Sequence, residues 1–166
     1  MNALENEDAS ITSAILIHWM LFASVFIYGG LAYALSTIMD EAPADASLFT
    51  VMVIVMSVVS LLVFASVLFF RKYWISPESL ADLDDYDDAV GQYVTAMIVQ
   101  GGLMESIAIY GLVLCILFLS FLIFLPFGVV SLFLFVMFRP SEDDFRKRLE
   151  RAGWNPSQAA AQNTES

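Results

Sequence analysis

Between Ala89 and Phe138 the chain carries a single charged side chain, Glu105, in an otherwise apolar block. A membrane span needs about 20 mostly apolar residues at a helical rise of roughly 1.5 Å per residue, so this block is about twice the length of one span. It must fold back on itself. The turn is expected near Phe118 to Phe121, although no Gly, Pro or Asn marks it. A turn at Pro126 and Gly128 would leave only about ten residues before Arg139, too few to cross a bilayer. Pro126 is therefore expected in the first turns of the last helix, where it can bend the helix.

Two further apolar runs precede this block. One lies between Asp8 and Asp40 with Ile11 to Ile38 as its core, and the other runs from Leu48 to Phe70 and stops at Arg71-Lys72. With 59% hydrophobic residues the chain exceeds the roughly half expected of a soluble domain, and lipid is the expected solvent. The fold class predicted is all-α, an integral membrane four-helix bundle with spans at about 11–38, 48–70, 89–118 and 121–138. The first run is not expected to be a cleaved signal, because MNALENEDAS has no basic residue and the run is of full span length.

Basic residues favour the cytoplasmic side. Arg71 and Lys72 follow the second run, while Arg139, Arg146, Lys147, Arg148 and Arg151 follow the fourth, and these are all seven in the chain. With four spans, both groups fall on one side. The expected topology is therefore multi-pass in a bacterial inner membrane with both termini cytoplasmic. Residues 1–10 then form a polar cytoplasmic N-terminus and residues 71–88 an acidic cytoplasmic loop. Residues 139–166 form a cytoplasmic amphipathic helix with a disordered tail, and Met39 to Ser47 faces outward.

In the acidic loop, Ser76-Pro77-Glu78 has the form of a helix start, with a capping hydroxyl, Pro at the first helical position and an acid near the positive end of the dipole. The aspartates that follow, Asp82, Asp84, Asp85, Asp87 and Asp88, lack the Gly and Glu of a calcium-binding EF-hand loop. No metal site is expected there. After the fourth run, Ser141 is a candidate cap and Gly153 a candidate stop. Phe145 and Leu149, four residues apart, share one face that can lie on the membrane surface or against the acidic loop. A formal charge of -11 with no basic groove excludes a nucleic-acid partner. No phosphate-binding loop, nucleophile triad or paired metal-spaced histidines is present, so neither an enzyme nor a cofactor is expected. Cys115, the single cysteine, is expected to pack as a small hydrophobe.

Glu105 is the principal candidate functional residue. A charged group at the bilayer centre costs about 2.5–3.5 kcal/mol on insertion scales, and intramembrane acids mark functional sites. It lies roughly 22 Å along the helix from residue 90, near the midplane. An acid in such surroundings can load and release a proton or a small cation, or can instead stay protonated and hydrogen-bond a neighbouring helix. Gly101, Gly102 and Ala108 share its face at spacings of three and four, which lets another helix approach. His18, roughly 11 Å along the first span from Ile11, is a second candidate, either as a polar relay or as a neutral histidine bonded within the bundle.

The stretch TAMIVQGGLMESIAIYGLVLCIL resembles the ion-carrying helix of the c subunit of rotary ATP synthases. The pattern formed by Glu105, Ser106, Ile109, Tyr110, Leu112 and Val113 is similar to the sodium-dependent members. The resemblance implies that Glu105 binds the ion, that the Ser106 hydroxyl is a ligand and that the Tyr110 hydroxyl steadies the glutamate. It further implies a homo-oligomer or subunit of a larger membrane complex, embedded in lipid, with H+ or Na+ as the bound species. The second run contains no glycine, unlike the inner helix of that family's hairpin, and lacks its glutamine.

Overall fold

The computed structural model describes residues 3–39, 44–83 and 86–154. The 155–166 tail, the Asp84-Asp85 pair, residues 40–43 of the first connection and the first two residues lie outside the described residues.

Every regular element among the described residues is helical. In chain order the α-helices are α1 (Ala3–Ile38), α2 (Phe49–Tyr73), α3 (Pro77–Ala81), α4 (Tyr86–Phe118), α5 (Phe121–Met137) and α6 (Glu142–Ala152), with a short 3-10 helix at Ala46–Leu48 ahead of α2. Among the described residues, three stretches are long and apolar enough to cross a membrane: Ile11–Ile38, Phe49–Tyr73 and Asp88–Phe118. The fourth apolar helix, α5, has 17 residues and spans roughly 25 Å, at the short end for a crossing. The polar residues 3–10 continue α1 as helix ahead of its apolar part.

The outer surface is apolar where a soluble protein would be polar. Leu61, Leu62, Leu122 and Val136 are all more than 60% exposed, and α2 buries only Val67. In water such faces would be driven together; in hydrocarbon they carry no penalty.

The chain divides into two compact units. The first comprises residues 1–18, 68–100 and 139–166, and the second comprises residues 19–67 and 101–138, so that α1, α2 and α4 each contribute to both. The first unit contains all seven basic residues. Its core places Ile11 and Ala14 of α1 with Leu80, Tyr93, Phe145 and Leu149. The apolar face of α6 is thus buried against α3 and α4: Phe145 and Leu149 are both fully buried, and the Phe145 ring lies 4.4 Å from that of Tyr93. Of the two placements open to that face, the structure shows the one against the loop.

Local signals account for the short helices. Ser76 is the N-cap of α3, its hydroxyl accepting from Ser79 N at 3.1 Å, with Pro77 at the first position. Ser141 stands at the N-cap of α6, where its carbonyl accepts from Phe145 N at 3.1 Å while its hydroxyl caps nothing. Gly153, at φ 90°, ends α6, and Trp154 N returns to Leu149 O at 3.0 Å in a Schellman-like closure. The Trp154 indole then donates to Leu80 O at 2.8 Å, and Arg148 donates to Ile75 O at 2.9 Å while bonding Asp144 at 3.0 Å.

In the second unit, α4 and α5 run antiparallel. Gly111 faces Phe127, and the buried Ser131 hydroxyl donates to Met104 O at 2.7 Å. The reversal between them is made by Leu119, at φ 50°, and extended Ser120. Helices α1 and α4 run parallel, because Leu21 meets Gly101 and the carbonyl of Ala32 meets the Cys115 thiol at 3.4 Å. Parallel packing keeps the two helices in one register over several turns.

Candidate functional site

The site is built where the α1–α4 seam of the second unit passes Glu105. Glu105 lies near the middle of the apolar stretch Asp88–Phe118 and is half-buried. Ser24 and Tyr28 of α1 are four residues apart and so share one helix face, and the parallel register brings that face to the carboxyl. The Ser24 hydroxyl oxygen stands 2.6 Å from Glu105 Oε1, and the Tyr28 hydroxyl donates to the same oxygen at 2.7 Å. Ser24 Oγ also lies 2.6 Å from the carbonyl of Leu21 in its own helix. Behind the site, the hydroxyl of Ser131 holds the carbonyl of Met104, so the backbone carrying Glu105 is tied to α5 as well.

The glycine and alanine positions expected to admit a neighbour divide. Ala108 is fully buried and Gly101 is buried with Leu21 so close that an added Cβ would sit 2.8 Å from Leu21 Cδ1. Gly102 is exposed and has open space around it. The tightest approach is at Gly111, where a Cβ would stand 2.6 Å from Phe127 Cβ.

The hydroxyl of Ser106 donates to Leu103 O at 2.8 Å, an i−3 bond within its own helix. Tyr110 packs half-buried against the apolar core. The hydroxyls gathered on Glu105 are therefore those of Ser24 and Tyr28. Sequence reading did not single out either residue. The available signal was a Ser and a Tyr at i and i+4 inside an apolar run, which becomes meaningful only once α1 is known to lie parallel to α4.

His18 is buried, at 5% exposure, and belongs to the first unit. In that unit the Tyr93 hydroxyl and both amide atoms of Gln100 are also buried, without a hydrogen-bond partner in the described protein.

The electrostatic setting of Glu105 is simple. Since every Lys and Arg falls in the first unit, the second offers no basic side chain to balance an ionised carboxylate. No group of three or more His, Cys, Asp or Glu that could hold a metal occurs among the described residues. A lateral groove of about 590 Å³ between α2, α4 and α5 is lined by apolar side chains with Ser57 and Ser60, and Glu105 does not line it.

Among the described residues outside the apolar stretches, two carboxyl groups are held below the ordinary range. Glu78 is lowered by its own backbone N–H and then by the Ser76 hydroxyl, and Asp45 by the backbone N–H of Ser47.

No family model, curated protein or solved structure matches the chain.

Proposed function

We propose that this chain is a multi-pass inner-membrane protein, a four-helix bundle with both termini cytoplasmic. Within it, Glu105 reversibly binds a proton or Na+ as part of a homo-oligomer or a larger membrane assembly. The observation that carries this is the convergence of two hydroxyls from α1 on one carboxyl oxygen in the middle of an apolar helix. Hydroxyl groups can accept or donate, so they accommodate a carboxyl in either ionisation state. The likeness of the α4 sequence to the ion-carrying helix of rotary c subunits points the same way. In this chain the partner hydroxyls would come from α1 rather than from Ser106 and Tyr110.

A second role is favoured by the same contacts. Because Ser24 and Tyr28 lie on another helix, their bonds tie α1 to α4, alongside the Leu21–Gly101 and Ala32–Cys115 contacts. Interhelical hydrogen bonds in membranes contribute about 0.6 kcal/mol on average, at most about 1.7. Under this second role Glu105 is a permanently neutral strut in a non-transporting assembly protein.

Reaction with a hydrophobic carbodiimide separates the two roles. Native membranes would be treated across a range of pH and the modified peptide located by mass spectrometry. A proton- or cation-binding Glu105 is modified at neutral pH, loses reactivity as the pH rises, and leaves no modified peptide in Glu105→Gln. A structural strut, neutral throughout, reacts to an extent that does not change with pH, and Glu105→Gln is then without functional consequence.

A further inference from the structure

We infer that the Glu105 site is built for a proton and not for Na+, and that the Ser24 hydroxyl follows that proton by turning between two acceptors. This rests on the reading of Glu105 as an ion-binding group and names the ion. The oxygens of Ser24 and Tyr28 stand 2.6 and 2.7 Å from Glu105 Oε1, separations at which a hydrogen is shared between two oxygens. Two oxygens on one cation of the size of Ca2+, to which Na+ is close, sit about 2.3–2.6 Å from the ion, hence roughly 3.3–3.7 Å apart at a right angle. The three oxygens would have to spread apart to admit Na+, and the seam that holds them is closed by Leu21 against Gly101.

A count of hydrogens identifies the moving part. Ser24 Oγ has two oxygen neighbours at 2.6 Å, Leu21 O and Glu105 Oε1, and one hydrogen to give. A backbone carbonyl can only accept. When Glu105 is ionised, Ser24 donates to Oε1 and Tyr28 does likewise. When the carboxyl takes up a proton on Oε1, that O–H donates to Ser24 Oγ and the serine hydrogen swings to Leu21 O. All three short contacts are hydrogen bonds in the protonated state, whereas in the ionised state the serine hydrogen lies on Oε1 and none is left between Ser24 Oγ and Leu21 O. Ser24 is bonded to the carboxyl in either state, whereas Tyr28 acts as a donor throughout and favours the ionised form more strongly.

Other titratable groups do not interfere. Of the elements of this unit, α2 and α5 present no titratable side chain there, and α4 itself adds only Tyr110 and Cys115, the latter bonded to Ala32 O. On α1, Tyr28 bonds the carboxyl and Tyr33 is exposed, as is Asp45 in the connection that follows.

The test is the rate of carbodiimide modification of Glu105 in membranes, measured against pH with Na+ exchanged for K+ at constant ionic strength, in the wild type, Ser24→Ala and Tyr28→Phe. The expected result is no protection by Na+ at any concentration. Tyr28→Phe raises the pH of half-maximal reactivity by about one unit, and Ser24→Ala moves it by much less, since it removes one bond to the carboxyl from each state. Slowing by Na+ in the wild type, an arm that needs no variant, overturns the proton assignment while leaving ion binding at Glu105 intact. A Ser24→Ala shift equal to that of Tyr28→Phe overturns the turning hydroxyl. An unreactive Glu105, or one whose reactivity does not change with pH, overturns both the inference and the ion-binding role beneath it.

Discussion

Adding one methyl group at Gly111 should separate α4 from α5. A Cβ there would stand 2.6 Å from Phe127 Cβ, 3.1 Å from Phe127 Cγ and 3.3 Å from the carbonyl oxygen of Phe124. Two of these three atoms, the carbonyl oxygen and the Cβ, move only with the helix itself. Ordinary contact begins near 3.4 Å, so α5 has to retreat by about 0.8 Å (3.4 − 2.6) along that line. Forced overpacking costs about 1–3 kcal/mol. Ala gains up to about 1 kcal/mol over Gly in helix propensity. Gly102→Ala is the internal reference, because it meets nothing within 4 Å and receives only the propensity gain. Gly101→Ala meets only the end of a flexible side chain, Leu21 Cδ1 at 2.8 Å, and belongs between the two. Reversible unfolding in mixed micelles, as denaturing detergent is added, should therefore rank Gly102→Ala above Gly101→Ala above Gly111→Ala. The gap between the first and last is expected to be about 1–3 kcal/mol. Retreat of α5 also pulls Ser131 from the carbonyl of Met104, so Gly111→Ala should further slow carbodiimide reaction at Glu105 or broaden its pH dependence. Equal stability of Gly111→Ala and Gly102→Ala would refute the close α4–α5 packing.

In the first unit, Phe145→Ala removes a fully buried ring that lies tilted against Tyr93 and should cost about 3–5 kcal/mol, seen as early proteolysis within α6. Trp154→Phe deletes the bond to Leu80 O and should cost about 0.5–1.5 kcal/mol by the same unfolding assay. Because Glu78 is lowered in the folded chain, its contribution to α3 is present above the carboxyl's ordinary range and is lost as the pH falls through its depressed value. Hydrogen exchange at Ser79 N should accordingly rise above the intrinsic acid trend on acidification, and Glu78→Gln should remove that dependence. For topology, a cysteine at exposed Ser47 should react with an impermeant thiol reagent added outside intact cells, and one at exposed Glu78 should not. Reaction at Glu78 under those conditions would reverse the orientation.

The apolar runs themselves made the helical class and the approximate helix ends legible, because backbone groups in hydrocarbon must be satisfied within a helix. The start of α3 was legible from Ser76-Pro77-Glu78, whose capping chemistry is local. The turn between α4 and α5 carried no such mark: Leu119 occupies the left-handed conformation that Gly or Asn usually takes, at a cost of about 1–3 kcal/mol. Length alone located it. Glu105 stood out because a lone acid in an apolar block is expensive. Its partners did not, because Ser24 and Tyr28 are 81 and 77 residues away in sequence and ordinary in their own helix. The tightest helix contact was equally hidden, since Gly111 looks no different in sequence from exposed Gly102.

The behaviour of one carboxyl decides the functional account. Infrared difference spectra of the full chain in lipid, recorded between acidic and alkaline pH in H2O and D2O, report a protonated carboxyl through its C=O stretch. If Glu105 takes up and releases a proton, a C=O band shifts to lower frequency in D2O, disappears as the pH rises and is missing from Glu105→Gln, while the helical amide bands of the variant match the wild type. Wild-type and Glu105→Gln spectra that show the same pH differences would contradict proton binding at Glu105.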